Sequence, residues 1–336
     1  MTSTAQEWHL VARPVGIPGA GDFRLVEREL PGPGDGEVLV RNTYLSMDPY
    51  MRALMGADVE ADIPPYELDR PMTGGAVGRV VESRAAGLAP GDLVLSDLGW
   101  RTAAVAGAGY FTRLQWAEGV PDSAFLGVLG MPGLSAYVGL TEIAGLREGE
   151  TVFVSGAAGA VGGVAGQIAR LRGAKAVIGS AGSDAKAEYL TSELGFTAAF
   201  NYKDGSVREQ VSRAAPAGID VYFDNVGGDH LEAAIDVLNP HGRVALCGAI
   251  SGYNATESPP GPRNMADVIK KRLTLRGFEV GDHAALRPRF VDEMSSWLVD
   301  NRITFRETVE HGIGNAVNAF LGLMSGRNTG KMLVRV

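Results

Sequence analysis

Thr151-Val152-Phe153-Val154-Ser155 opens directly into Gly156-Ala157-Ala158-Gly159-Ala160-Val161-Gly162-Gly163. The first five residues, β-branched and aromatic, have the makeup of a short buried strand. After the glycines, apolar Val161, Val164, Ala165, Ile168 and Leu171 recur at helical spacing, so one face of the following helix is apolar. Strand, glycine turn and helix are the opening of a dinucleotide-binding unit. Glycines let the backbone approach a pyrophosphate, and the free N–H groups and dipole at the helix start favour its charge. The spacing departs from G-x-G-x-x-G, because Ala158 stands immediately before Gly159 and the nearest upstream glycine is Gly156. A glycine turn alone also serves purely structural ends. The continuation decides between the two: Lys175-Ala176-Val177-Ile178-Gly179-Ser180 reads as a second strand and completes a βαβ unit.

Strands and helices keep alternating beyond it. Ala185 to Leu194 reads as a helix, Ala198-Ala199-Phe200 as a strand, Ser206 to Ala214 as a helix and Ile219 to Asp224 as a strand. Leu231 to Leu238 is helical in pattern, Arg243 to Cys247 a strand, Thr274 to Val280 a late strand, and Arg289 to Val299 an amphipathic helix. Such alternation means α/β architecture, a doubly wound parallel (Rossmann) sheet covered on both faces. Upstream the chain changes character. Short runs such as Glu37 to Ser46, Gly75 to Glu82 and Leu88 to Leu95 are separated by Gly/Pro turns, which suggests a β-rich, barrel-like domain. Leu129 to Leu140 leads from one domain into the other, and Met332 to Val336 is a strand that returns to the first. The expected division is 1–122 with 295–336, and 123–294.

Composition narrows the function. At 336 residues, 45% hydrophobic and 21% charged, the chain is an ordinary globular protein with length for two cores. A net charge of −8 disfavours a nucleic-acid or anionic-membrane surface. No apolar run is long enough to span a bilayer, and Met1 to Trp8 lacks a signal-peptide layout, so the expected location is the cytoplasm. Cys247 is the single cysteine, and the five histidines show no ligand spacing; a metal-independent protein is expected.

Several stretches carry a resemblance: Asp48-Pro49-Tyr50-Met51-Arg52, Gly130-Met131-Pro132-Gly133-Leu134-Ser135-Ala136-Tyr137 and Ala157-Ala158-Gly159-Ala160-Val161-Gly162. Phe223-Asp224-Asn225-Val226-Gly227-Gly228, Cys247-Gly248-Ala249-Ile250-Ser251-Gly252-Tyr253-Asn254 and Gly326-Arg327-Asn328-Thr329-Gly330-Lys331 continue it in the same order. Together they resemble the zinc-independent medium-chain dehydrogenases/reductases, in the branch of prostaglandin reductases, double-bond reductases and curcumin-reductase-like enzymes. The resemblance implies a β-rich, GroES-like catalytic domain beside the Rossmann domain, and a homodimer. It also implies NADPH-dependent reduction of a carbon–carbon double bond conjugated to a carbonyl.

NADPH rather than NADH is expected on independent grounds. An NAD site places Asp or Glu at the end of the second strand, where this chain has Gly179-Ser180-Ala181-Gly182. Ser183 and Asp184 suit the start of the next helix. The resemblance puts Lys186 on the 2′-phosphate, Tyr202 at the phosphate end of the cofactor, and Asn225 and Asn328 in contact with it. By spacing alone these would be a solvated lysine, a boundary tyrosine and turn residues. Met131, Ala158, Gly159, Ala160, Val161 and Gly182 are the further expected cofactor-binding residues.

The resemblance passes the backbone of Phe278, Glu279 and Val280 beside the nicotinamide, and counts Pro49, Tyr50, Cys247 and Tyr253 among the cofactor-binding residues. Cys247 reads as a buried strand-end residue rather than a nucleophile, since the reduction needs no thiolate. Glu279 departs from the apolar residue common there; a side chain directed away from the ring makes the change harmless. Tyr253 and Tyr50 are the candidate catalytic residues. Hydride addition to the β-carbon of an enone leaves negative charge on the carbonyl oxygen, which the hydroxyl of Tyr253 would stabilise, or Tyr253 stands on the proton route to the α-carbon. Tyr50 would position substrate from the opposite wall of a cleft. Spacing alone favours a loop aromatic for Tyr253, and for Met47 to Arg52 a short capped helix with Tyr50 and Met51 packed inward. The alternatives are a quinone reductase of the same superfamily and a non-catalytic NADPH-binding protein.

Overall fold

The computed structural model describes residues 3–57, 63–115 and 119–336. Met1 and Thr2, which head the N-terminal stretch read for a leader, lie outside the described residues. In chain order the first strands are β1 (Ser3–Leu10), β2 (Phe23–Leu30), β3 (Glu37–Ser46), β4 (Ala76–Ser83), β5 (Leu93–Ser96), β6 (Ala103–Gly107) and β7 (Thr112–Arg113). Helix α1 (Met131–Val138) is followed by β8 (Thr151–Val154), α2 (Ala160–Leu171), β9 (Ala176–Ala181), α3 (Asp184–Ser192), β10 (Ala198–Asn201) and α4 (Val207–Ala214). Next come β11 (Ile219–Asp224), α5 (Gly228–Val237), β12 (Leu238–Leu246), α6 (Met265–Lys271), β13 (Thr274–Gly277) and α7 (Arg287–Val299). The chain closes with β14 (Glu307–His311), α8 (Ala316–Met324) and β15 (Lys331–Arg335).

Two compact units result: Met1–Leu126 with Glu307–Val336, and Gly127–Arg306. The boundary expected at 294/295 falls inside α7, which runs unbroken because Phe290 and Met294 are both fully buried. The Phe290 ring meets Tyr137 of α1 edge-on at 5.8 Å, so this helix belongs with the second unit. The boundary expected at 122/123 falls inside a short 3-10 turn, Asp122–Leu126, that stays with the first.

The second unit is built on a parallel sheet in the order β10-β9-β8-β11-β12-β13, the doubly wound arrangement. Its middle strand is the stretch that opened the sequence reading: Val152, Phe153 and Val154 are fully buried. Phe153 stacks on Tyr222 at 5.0 Å and on Phe200 at 6.0 Å. Each such side chain contributes about 1.5–3 kcal/mol by leaving water. Strands β9 and β11 flank β8 and lead away in opposite directions, so the chain order reverses there. That reversal opens a crevice at the carboxyl edge of the strands.

The first unit carries a mixed sheet, β14-β15-β3-β4-β5-β7, with β6 also paired to β3, and a separate β1-β2 ribbon. The chain end does return to it: β15 runs antiparallel to β3, with Val334 opposite Leu45. Trp100, fully buried, stacks on Phe23 at 6.3 Å and meets Phe320 edge-on at 5.9 Å. Met47, Met51 and Met55 fill the same cluster. The Asp48 segment is a 3-10 turn, Pro49–Met55, started by a proline and without a side-chain cap, with Met51 buried and Tyr50 half-buried against the core.

One strand is shorter than its pattern suggests. The run from Thr274 leaves the sheet after Gly277, so Phe278, Glu279 and Val280 follow the strand instead of belonging to it. Thr274 to Gly277 is exposed apart from Leu275, and a tract with so little to bury does not hold a longer strand at the sheet edge.

Candidate active site

The turn after β8 has the shape a pyrophosphate needs. Gly156 adopts φ +57, a left-handed conformation that a side chain disfavours. The turn is closed by Ala157 N–H donating to the Ser180 carbonyl (2.9 Å) and Gly159 N–H to the Gly156 carbonyl (3.0 Å). Gly159 then stands at the N-cap of α2 with extended backbone and no side-chain cap, so Ala160 and Val161 begin the helix with no cap side chain over their N–H groups. A Cβ on Gly162 would lie 2.5 Å from the Gly156 carbonyl oxygen, so the close approach of helix to turn depends on glycine there. Ala158 is buried beneath the turn.

At the end of β9 stand Ala181 and Gly182, with no carboxylate. Ser183 caps α3, its hydroxyl accepting from the Lys186 N–H at 3.4 Å. The Asp184 carboxylate accepts from the Asn201 side-chain amide at 3.1 Å. Lys186 is half-buried, and burial together with the charge of Lys203 holds its ammonium below the usual lysine range. Tyr202, 39% exposed, follows β10, and its hydroxyl lies 3.5 Å from where a Gly182 Cβ would be. Gly182 and Tyr202 therefore lie together, and Lys186 stands in the first turn of the helix that Ser183 caps. His230, in the first turn of α5, meets the Tyr202 ring edge-on at 5.2 Å. It is buried, and burial lowers its pKa, so it packs as a neutral imidazole. Nothing in its local sequence marked it.

The crevice itself is organised by Asp224, at the end of β11 and 1% exposed. One carboxylate oxygen accepts from Ser155 Oγ (3.1 Å), Tyr222 OH (2.6 Å), and the N–H groups of Val226 and Gly227 (both 2.9 Å). Ser155 Oγ accepts from the Asn225 N–H at 3.0 Å, and the Asn225 amide donates to the Ser155 carbonyl at 2.8 Å. The turns after β8 and β11 are thus locked together, which places Asn225 beside the glycine turn. The sequence pattern singled out Asn225 but not Asp224 or Ser155, whose only signal is that each ends a strand.

The next strand end is tied to the same residue: Cys247 and Gly248 donate their N–H groups to the Asp224 carbonyl at 2.9 and 3.0 Å. Cys247 lies just past β12 and is half-buried, where a buried strand-end residue was expected, because the chain turns out of the sheet at Leu246. Desolvation, with the charges of Asp224 and Glu279, still pushes its thiol up to about 12. A neutral thiol is no nucleophile. Tyr253 follows a short turn, Ile250–Gly252, and its hydroxyl accepts from the Ala249 N–H at 3.3 Å. Burial raises its pKa, the Ala249 hydrogen bond acts against this, and the charges of Cys247, Glu279 and Asp224 add to the rise. The phenol is neutral at physiological pH. With a lone pair occupied by Ala249, its proton can be presented to another acceptor. Phe278 is half-buried, its ring edge-on to His283 at 6.4 Å; Glu279 is exposed, and Val280 starts the next turn. Glu279 is not electrically silent, since its charge acts on both Cys247 and Tyr253. Met131, half-buried, begins α1.

In the first unit, Tyr50 and Pro49 are half-buried. Burial, then the charges of Asp48 and Asp97, raise the Tyr50 phenol well above its ordinary value. Asn328 is buried, and its amide donates to the Gly330 carbonyl at 2.7 Å, so within this unit it acts as a turn residue.

These features fit a dinucleotide phosphate: an uncapped helix start, a glycine turn packed closely against it, and a strand end without a carboxylate followed by a helix that carries Lys186. They do not fit a metal. Among the described residues no three His, Cys, Asp or Glu side chains come together as ligands, and one cysteine cannot supply a thiolate set.

Comparison with known proteins gives the following. Residues 6–114 match the family model described as the N-terminal domain of oxidoreductase, and residues 160–296 the one described as zinc-binding dehydrogenase. The chain is 41% identical to the NADPH-dependent curcumin reductase of Escherichia coli, over 98% of this chain and 96% of that one. It is 43% identical to prostaglandin reductase 1 of Bos taurus, over 98% and 99%. The crystal structure of CurA from Vibrio vulnificus in complex with NADPH superposes with a TM-score of 0.93 at 39% identity, covering 98% of this chain and 99% of that one.

Proposed function

Because the chain belongs to the medium-chain dehydrogenase/reductase family, among NADPH-dependent reductases of carbon–carbon double bonds, we propose that it reduces the α,β-double bond of enones and enals, with Tyr253 stabilising the enolate. NADPH is its cofactor. When bound, it supplies the hydride that enters at the β-carbon.

This chain's own residues have the remaining tasks. The α2 start with Ala158, Gly159, Ala160 and Val161 would hold the pyrophosphate, and Lys186 and Tyr202 the 2′-phosphate. Asn225, Cys247, Phe278, Glu279 and Val280 stand at strand ends or just beyond them, where a doubly wound sheet binds its ligand. Met131 belongs to this set by motif, as do Pro49, Tyr50 and Asn328 of the first unit, with Tyr50 assigned to substrate positioning.

One observation carries the mechanism: a neutral Tyr253 hydroxyl at the carboxyl edge of β12, accepting from Ala249 and so able to donate its proton outward. Negative charge that develops on the carbonyl oxygen as hydride arrives is met by that donor, and a proton taken up at the α-carbon then completes the reduction. A hydroxyl held this way acts as a fixed dipole and needs no thiolate.

The test is to mix the protein with NADPH and a panel of small enals, enones and quinones, and to follow loss of the reduced-cofactor absorbance. Turnover of enals and enones is expected. Turnover of quinones alone would assign it as a quinone reductase, and none across the panel would make it a binding protein. A homodimer and a cytoplasmic location are proposed alongside, to be checked by light scattering and cell fractionation; no described helix is long and apolar enough to cross a membrane.

A further inference from the structure

We propose that Lys203 is a second cation for the 2′-phosphate of NADPH, so that, taking Lys186 to face that phosphate as proposed above, the group is seated between two ammonium ions.

Two distances and one electrostatic effect point to Lys203 there. A Cβ built on Gly182 lies 3.7 Å from Lys203 Cε and 3.5 Å from the Tyr202 hydroxyl, so both side chains converge on the end of β9. The Lys203 ammonium sits 5.9 Å from the centre of the Tyr202 ring, near the limit of a cation–π contact. Its charge is felt at Lys186, whose ammonium is depressed by burial first and by Lys203 second. Two like charges that disfavour each other in the free protein both gain when a dianion arrives.

The neighbouring carboxylates are otherwise engaged. The Asn201 side-chain amide donates to Asp184 at 3.1 Å and to Asp204 at 2.9 Å, while its oxygen accepts from the Lys203 N–H at 3.2 Å. A neutral amide thus binds both acids and fixes the turn from which Lys203 projects. Lys203 forms no ion pair among the described residues. Lys203 is exposed, which makes it dispensable for folding.

The experiment uses the full chain and two fragments of the cofactor, 2′,5′-ADP and 5′-AMP, titrated by calorimetry. Lys203→Ala is expected to weaken 2′,5′-ADP about tenfold, ~1.4 kcal/mol, and to leave 5′-AMP unchanged. Lys203→Arg should restore most of the loss, and the difference should shrink as salt rises. If Lys203→Ala shifts both fragments equally or neither, while Lys186→Ala still discriminates, the seat has one cation and Lys203 is idle. If neither variant discriminates, the 2′-phosphate lies elsewhere and the role of Lys186 falls as well.

Discussion

The ammonium of Lys331 and the carboxylate of Asp48, 283 residues apart in the chain, form a 2.8 Å ion pair inside the first unit. They are 3% and 5% exposed. Lys331 also donates to the Met47 carbonyl at 2.6 Å, and the other Asp48 oxygen accepts from the Ser46 hydroxyl. The pair ties β15, just after the Asn328 turn, to the turn that carries Tyr50.

Lys331→Met leaves that carboxylate buried without its cation, a loss of ~3–5 kcal/mol. Thermal unfolding should move to clearly lower temperature. Pairing the change with Asp48→Asn should recover much of the loss, because the uncompensated charge is gone. A single variant as stable as the parent would show the pair to be idle.

Tyr253→Phe removes the hydroxyl and leaves the ring. The kcat for enone reduction should fall by more than about tenfold, ~1.4 kcal/mol in the barrier, with the KM for NADPH little changed. Steady-state kinetics at saturating cofactor read this directly. Unchanged turnover would mean that solvent or cofactor groups meet the enolate.

Asp224→Ala strips four donors of their common acceptor and unlocks the turns after β8 and β11. Denaturant unfolding should report a loss of ~2–4 kcal/mol, given that buried donors without partners cost ~1–3 kcal/mol each and partly relax. The KM for NADPH should rise more than that for the enone, since the unlocked glycine turn is the expected pyrophosphate seat. A stability loss with unchanged KM would confine Asp224 to folding.

Cys247 should be unreactive. Its thiol is raised from 9.0 to about 12, so iodoacetamide at pH 8 should label the native chain far more slowly than the urea-unfolded chain. The same shift has a stability consequence. Between the two values the unfolded chain releases the proton while the folded chain keeps it, so this contribution falls as pH rises above about 9. Cys247→Ala should flatten that alkaline loss. Equal labelling of folded and unfolded chains would contradict the burial argument.

Much of the second unit was legible because its signals are local. β11 spans Ile219–Asp224, the residues its apolar run marks, and α3 starts at the Ser183 cap. The late strand was read too long because alternation in Thr274 to Val280 carries no information about where the sheet stops offering a partner. His230 was passed over for a similar reason: its significance is a ring contact with Tyr202, 28 positions earlier, and no spacing rule connects them.

Thr151 to Gly163 alone determined that a strand meets an uncapped helix through glycines, and the residues after β9 determined that no acid stands where an NAD ribose would want one. Backbone conformation and local charge decide such features, and both are written within a few residues. Tertiary structure decided that Asp224 joins the β8 and β11 turns, that Tyr253 holds a neutral hydroxyl against Ala249, and that Lys203 lies against Gly182. Sheet order and burial bring those groups together, and both are properties of the packed chain.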